Sequence, residues 1–137
     1  MNSQPSPADL AIQWLDNSPF VLLLGMEVEA FERDKVIISI PFKEDLVTIA
    51  DVVHGGAISS LIDTAAAAAA WSGAEQVASM RGTTISLNVS FLSPARSAGI
   101  KAEARCVKRG KTICFCEVEV TSDAEVVAQG MVTYKLG

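Results

Sequence analysis

The sequence predicts an α+β domain in which an antiparallel sheet wraps around one central helix. Three observations carry that expectation. The stretch from Gly56 to Trp71 holds Leu61, six consecutive alanines and no proline, which reads as helix by propensity. Segments rich in β-branched residues lie on both sides of it. The alanines leave the helix without a charged face, so a sheet can approach its axis closely, whereas an exposed helix would show charges on one side. There is no internal repeat, no doubly wound β-α-β alternation and no glycine-rich phosphate loop.

The elements follow in order. Residues 1–7 are polar and proline-containing and read as a loose tail. Pro7 to Leu15 then suggests a short helix ending near Asn17-Ser18-Pro19, so that residues 1–24 form an N-terminal tail and helix. Phe20 to Leu24 is a continuous apolar run and is expected to be buried. Between Met26 and Phe42, alternation of Met26, Val28 and Ala30, then of Val36, Ile38, Ile40 and Phe42, predicts a hairpin turning at Arg33-Asp34-Lys35. After the helix and Ser72-Gly73, strands are expected within Met80–Ser93, Gly99–Lys108, Thr112–Thr121 and Val126–Leu136. Pro94, Arg109-Gly110 and Ser122-Asp123 break them.

With 137 residues, half of them apolar, residues 1–137 make one domain able to bury its own core. No basic residue precedes an apolar run at the N-terminus, and no stretch nears the roughly 20 apolar residues of a membrane span, so a soluble cytoplasmic protein is expected. Cys106, Cys114 and Cys116 form no C-x-x-C pair and have no second histidine to help bind metal, so they read as reduced, structural thiols with no metal site. Sixteen acidic against eleven basic residues disfavour a general nucleic-acid binder.

The chemistry concentrates between Val53 and Asp63. His54-Gly55-Gly56 opens the helix, and unpaired N–H groups at a helix start, reached through glycines, can hold a carbonyl oxygen as it turns negative. Asp63 lies two turns on, among Leu61, Ile62 and the alanines, where an unpaired charge would cost several kcal/mol to bury. Taken singly, the histidine and glycines suit a tight turn and Asp63 a satisfied helix carboxylate. Together they point to a site.

H-G-G followed by L-x-D-x-A at this spacing resembles the hotdog-fold acyl-CoA thioesterases of the phenylacetate-pathway type. The likeness continues through Thr84-Ile85-Ser86-Leu87-Asn88-Val89-Ser90-Phe91-Leu92-Ser93-Pro94-Ala95, Lys108-Arg109-Gly110-Lys111-Thr112 and Ala128-Gln129-Gly130, from about residue 25 to the end. The resemblance implies a hotdog fold and hydrolysis of an acyl-CoA thioester to free acid and CoA. It implies that the Gly55 amide polarises the carbonyl, that His54 shapes the turn, that Asp63 attacks or activates water, and that Thr84 orients the nucleophile. Gly56, Asn88, Phe91, Ser93, Pro94, Ala95 and Arg96 join the expected substrate and CoA contacts, with Lys108, Arg109, Gly110, Lys111 and Thr112. No cofactor is expected, since CoA is part of the substrate. In one departure, Thr48 stands where the family often has asparagine or glutamine, six residues before the histidine near the leaving thiol. A thiol of pKa near 8.5 leaves readily as thiolate without an acid.

Helix geometry adds an expectation of its own. Gly55 and Asp63 are eight positions apart, roughly 12 Å along a helix, too far to meet at one carbonyl. Two antiparallel helices about a two-fold axis would bring Asp63 of one chain to Gly55 of another, giving two equivalent sites in a homodimer. The resemblance implies the same dimer, paired again into a homotetramer. Local cations at Arg96 and Lys108-Arg109-Gly110-Lys111 suit phosphates, or else a solvated turn. Competing readings are a hotdog enoyl-CoA hydratase or dehydratase and a non-catalytic acyl-CoA binding module. The first needs a carboxylate near the sole histidine, yet Ile49 stands five residues before it. The acyl group is not legible, because Phe20–Leu24, Trp71 and Phe91 suit either a pocket or the core.

Overall fold

The computed structural model describes residues 5–75 and 81–137, leaving the start of the tail and the Met80 end of one expected strand outside the described residues. Helix α1 spans Pro7–Asn17. It starts on a reciprocal cap in which the Ser6 hydroxyl accepts from the Asp9 amide and the Asp9 carboxylate from the Ser6 amide, each at 3.1 Å. Ala11 and Leu15 are its buried face.

The apolar run after Pro19 corrects an expectation. It forms a helix of its own, α2 (Pro19–Leu24), ended by Gly25 at φ 75°. Only Val21 and Leu24, three apart on one face, are buried, while Phe20, Leu22 and Leu23 are 52%, 60% and 70% exposed. A six-residue helix turns through more than one revolution, so it cannot bury a continuous apolar run against one surface.

Strands β1 (Glu27–Glu32) and β2 (Lys35–Ile40) form the predicted hairpin, with Asp34 at φ 64° in its turn. A single 3-10 turn, Glu44–Leu46, leads into a small ribbon of β3 (Val47–Ile49) and β4 (Val52–Val53), which the sequence reading did not resolve. Helix α3 runs Gly55–Ser72. Then come β5 (Thr83–Phe91), β6 (Ile100–Arg109), β7 (Ile113–Ser122) and β8 (Glu125–Lys135). Among the described residues, six strands make one antiparallel sheet in the order β1-β2-β6-β7-β8-β5, with α3 lying mainly over β2, β6 and β7. This is the α+β hotdog fold.

The alanines explain the closeness of that packing. Ala65 to Ala70 are all 5% exposed or less, with Trp71 and Leu61 buried on either side of them. Opposite them, Gly130 on β8 supplies the last of the room: a Cβ there would lie 2.6 Å from Ile62 Cγ2. Neither the branched methyl nor the strand backbone can retreat cheaply. The far end of the helix is held by Arg109 of β6, which donates to the carbonyls of Ala70 at 2.8 Å and Ala69 at 3.2 Å. Helix α3 has no basic residue in its own last turn, so the cation that complements its C-terminal end comes from the sheet.

Strand β5 differs from the other long strands because none of its residues is buried. Leu87 and Phe91 are register partners of Val132 and Ala128, which face the helix, yet they are 40% and 56% exposed. The sheet overhangs α3 at this edge. We expect Gly130→Ala to lower stability by about 1–3 kcal/mol in urea denaturation, and Ile62→Leu in the same chain, which lacks the branched Cγ2 methyl, to recover part of that loss.

Candidate active site

His54 is the N-cap of α3, with φ −63° and ψ 135°. Its Nδ1 accepts the Gly56 amide hydrogen at 2.7 Å, which fixes a neutral ring as the Nε2–H tautomer. The imidazole can fold back this far because Gly56 has no side chain: a Cβ there would stand 2.9 Å from Nδ1. The turn is tied down on both sides. The His54 amide donates to the Leu46 carbonyl at 2.7 Å and the Val53 amide to that of Ala95 at 2.9 Å. The His54 carbonyl takes the amides of Ala57 and Ile58. The Gly55 amide accordingly has no acceptor among the described residues.

Gly55 lines a shallow cleft of about 370 Å³. Its lining includes Thr48, Gly55, Phe91, Ser93, Pro94 and Ala95, six residues from three separate stretches that the sequence reading assigned to the site. Val52, Val53, Ile58 and Leu92 complete the wall. These four were missed, since ordinary apolar residues give no local signal of lining a cleft. The Phe91 ring lies over the helix start, and a Cβ on Gly55 would meet it at 3.2 Å. The β3–β4 ribbon is latched to the loop after β5: Asp51 takes hydrogen bonds from Arg96 at 3.1 Å and Ser97 at 2.7 Å. The Ser97 hydroxyl, ahead of Arg96, holds the Asp51 carboxyl below its ordinary value. Arg96, expected to meet phosphate, is thus at the surface and paired.

Asp63 and Thr84, 21 positions apart, do meet: the Thr84 hydroxyl donates to the Asp63 carboxylate at 2.6 Å. Asp63 is only part-buried within the chain, which corrects the expectation of a buried carboxylate. Its side of α3 is turned toward the open β5 edge. Tyr134, the register partner of Thr84, takes the Trp71 indole N–H at 3.0 Å. Burial pushes its phenol up, the Trp71 bond works against this, and the nearby Asp63 charge adds to it. The cleft lined by Gly55 does not include Asp63, so within one chain the two lie apart.

Two expected contacts lie elsewhere. Thr84 and Asn88, four apart, would share a face of a regular strand, but a bulge between Thr84 and Ser86 reverses the alternation. Asn88 therefore lies on the outer face of the sheet, in a hollow of about 520 Å³ with Ser90, Arg105, Glu117, Gln129 and Met131. Arg109 is also displaced from its predicted role. Its guanidinium is spent on Asp34 Oδ1, at 2.7 and 3.1 Å, and on the α3 carbonyls. Burial weakens its charge, but the Asp34 bond and neighbouring groups outweigh that and leave the pKa raised. Lys108, Gly110, Lys111 and Thr112 stay exposed around it. This turn sits at the opposite end of α3 from Gly55, roughly 20 Å away. Among the described residues no group of side chains could hold a metal ion, and no helix is long and apolar enough to cross a membrane.

We expect Arg109→Gln to cost about 2 kcal/mol of stability in denaturant unfolding, by leaving Asp34 and the helix carbonyls unpaired. Lys111→Gln, on the same turn but exposed, should leave the unfolding midpoint where it is.

Comparison with known proteins places this geometry in context. Residues 50–129 match the thioesterase superfamily. The human acyl-coenzyme A thioesterase 13 is 31% identical over 109 residues, covering 75% of this chain and 74% of that protein. The medium/long-chain acyl-CoA thioesterase YigI of Escherichia coli K12 is 26% identical over 136 residues, covering 87% and 86%. In fold, the PaaI protein of the E. coli phenylacetic acid degradation operon superposes with a TM-score of 0.84 at 19% identity, covering 98% of this chain and 96% of that one.

Proposed function

This chain belongs to the thioesterase superfamily, and on that premise we propose that it hydrolyses acyl-CoA thioesters through a site shared by two copies of the chain. The observation that carries the proposal is the pair of half-sites on one helix. An amide without an acceptor stands at the start of α3 beneath a cleft, and a carboxylate gripped by Thr84 faces an open sheet edge. Two relatives named as acyl-CoA thioesterases support the substrate class.

The thioester carbonyl oxygen accepts the Gly55 N–H, which points along the positive end of the helix as negative charge builds on that oxygen. Asp63 of a second copy attacks the carbonyl carbon or draws a proton from water that does. Thr84 holds that carboxylate in place. Collapse of the tetrahedral intermediate expels CoA as thiolate; where water attacks, the free acid is released directly, and where Asp63 attacks, a second step in which water cleaves the acyl–Asp63 anhydride releases the acid and restores the carboxylate. Thr48, exposed on β3 at the cleft wall, stands where a hydroxyl can meet the departing sulfur. His54 acts on the turn rather than on substrate protons, because its Nδ1 is already engaged with Gly56. That engagement disfavours the hydratase reading.

Pairing through β5 supplies the second copy. Its open edge and the exposed Ile85, Leu87 and Phe91 make a continuous apolar strip that a two-fold partner would cover. Antiparallel α3 helices then carry the Lys108–Lys111 turn of one chain past the Gly55 end of the other, toward the phosphates of a bound CoA. A dimer of dimers would use the outer face, where Val107, Phe115 and Met131 are about half exposed. The free cysteines suit a reducing compartment, the cytoplasm.

Asp63→Asn should lower kcat for acyl-CoA hydrolysis by a factor on the order of 10² or more, with the fold kept; turnover at the parent rate would sink the proposal. Gly55 is the first residue of α3, where proline is tolerated and removes only the N–H. Gly55→Pro should therefore lose on the order of 10² in kcat, whereas Gly55→Ala, which keeps the N–H and meets the same Phe91 ring, should lose far less. Because the halves belong to different copies, co-refolding Asp63→Asn with Gly55→Pro should regain activity that neither has alone, as each mixed dimer then contains one intact site.

A further inference from the structure

The helix-facing side of β6 and β7 carries three thiols that the thioester chemistry does not use. Cys106 is part-exposed, and Cys114 and Cys116 are buried. Cys106 and Cys116 are direct register partners across β6 and β7. Their pairing type follows from one backbone bond: the Cys106 amide donates at 2.9 Å to the Asp34 carbonyl, on the β2 side of the strand. A residue whose N–H points toward one neighbouring strand makes no ladder bonds to the other. Cys106 and Cys116 therefore form a non-hydrogen-bonded antiparallel pair, the closer kind, with Cα atoms about 4.5 Å apart. A disulfide needs roughly 4.4–6.8 Å. Cys114 is a diagonal neighbour of Cys106, at about 7 Å or more, and its sulfur already accepts from Arg109 at 3.3 Å.

We propose that Cys106 and Cys116 are a peroxide-oxidisable pair that closes to a reversible cross-strand disulfide. Cys106, the thiol solvent reaches, attacks hydrogen peroxide, giving the sulfenic acid and one water. Cys116 then attacks that sulfur: its S–H proton and the sulfenic hydroxyl leave together as a second water, and the S–S bond forms. Each sulfur loses one electron and the peroxide takes up both. Burial pushes the Cys116 thiol far up, with the neighbouring Cys106 adding to this, so the closing step is slow near neutrality and quickens as pH rises. Closing also draws the Cys116 sulfur from its place 3.6 Å from the Ala66 carbonyl, so the change reaches α3 one turn beyond Asp63.

The test is intact mass and thiol alkylation of the purified full chain after hydrogen peroxide treatment. The parent should lose about 2 Da and two alkylatable thiols, restored by dithiothreitol, and the non-reduced protein should melt several degrees higher. Cys114→Ala should behave in the same way, while Cys106→Ser and Cys116→Ala should not lose that mass. The Cys114 and Cys116 variants are essential because both residues lie between Thr112 and Lys135 and share a peptide after cleavage at lysine. A gain of oxygen on Cys106 with Cys116 still alkylatable would overturn the proposal, as would a bridge that survives Cys116→Ala. If a core variant fails to fold, fragmenting the 112–135 peptide of the oxidised, alkylated and then reduced parent decides the matter: the proposal expects the alkyl group on Cys114, and an alkyl group on Cys116 would overturn it.

Discussion

The close approach of α3 to the sheet is the constraint from which the rest of this structure follows. A helix of ordinary side chains is held off a sheet by their bulk; here the contact layer is methyl groups on one side and, at Gly130, bare backbone on the other. Such an interface gives little apolar area per residue and compensates by density. It also leaves no slack: α3 cannot slide or roll without driving Ile62 into β8. Arg109 adds an axial restraint by fastening the last carbonyls of the helix to the β1–β2 turn through Asp34.

Rigidity of that kind matters to the proposed chemistry because Gly55 and Asp63 both ride on α3. The Gly55 amide is useful only if its direction is fixed before a carbonyl arrives, since a donor that must reorient gives back part of what it contributes to the transition state. The turn around His54 serves the same end. Its amide, carbonyl and Nδ1 are each engaged, and of the backbone amides from His54 to Ile58 only that of Gly55 is left without an acceptor among the described residues. At Asp63 the restraint comes instead from Thr84, on the one long strand that α3 does not cover.

Local pattern determined what could be read from the sequence. The alanine run, the β1–β2 hairpin and the three long strands after β5 were legible because their periodicity is strong. The pairing of Asp63 with Thr84 was reached through resemblance, since a threonine on a strand is usually only a β-former. Other features depend on register or on distant partners. Asn88 joins the expected contacts through the resemblance, and its place on the outer face of the sheet is not legible because nothing in the residues from Thr84 to Ser86 announces a bulge. Arg109 was read as a free surface cation because its partners, Asp34 and the carbonyls of Ala69 and Ala70, lie at least 39 positions away along the chain. The α2 run reads as buried because its apolar content is continuous while the turning of the helix is not legible in it, and Asp63 reads as buried because its neighbours in sequence are not all its neighbours in space.

The bulge at Thr84–Ser86 has one more consequence. It works as a phase shift along β5: Thr84 before it and Leu87, Val89 and Phe91 after it share the helix side, although an unbroken strand would divide them. A single-residue deletion there would keep composition, length of pairing and nearly every side chain, yet turn one set of residues through half a revolution relative to the other. Either the hydroxyl would leave the carboxylate or the aromatic ring would leave the helix start. The two ends of the strand are thus held in step by one unpaired residue, and the spacing between them is as much a part of the chemistry as the residues themselves.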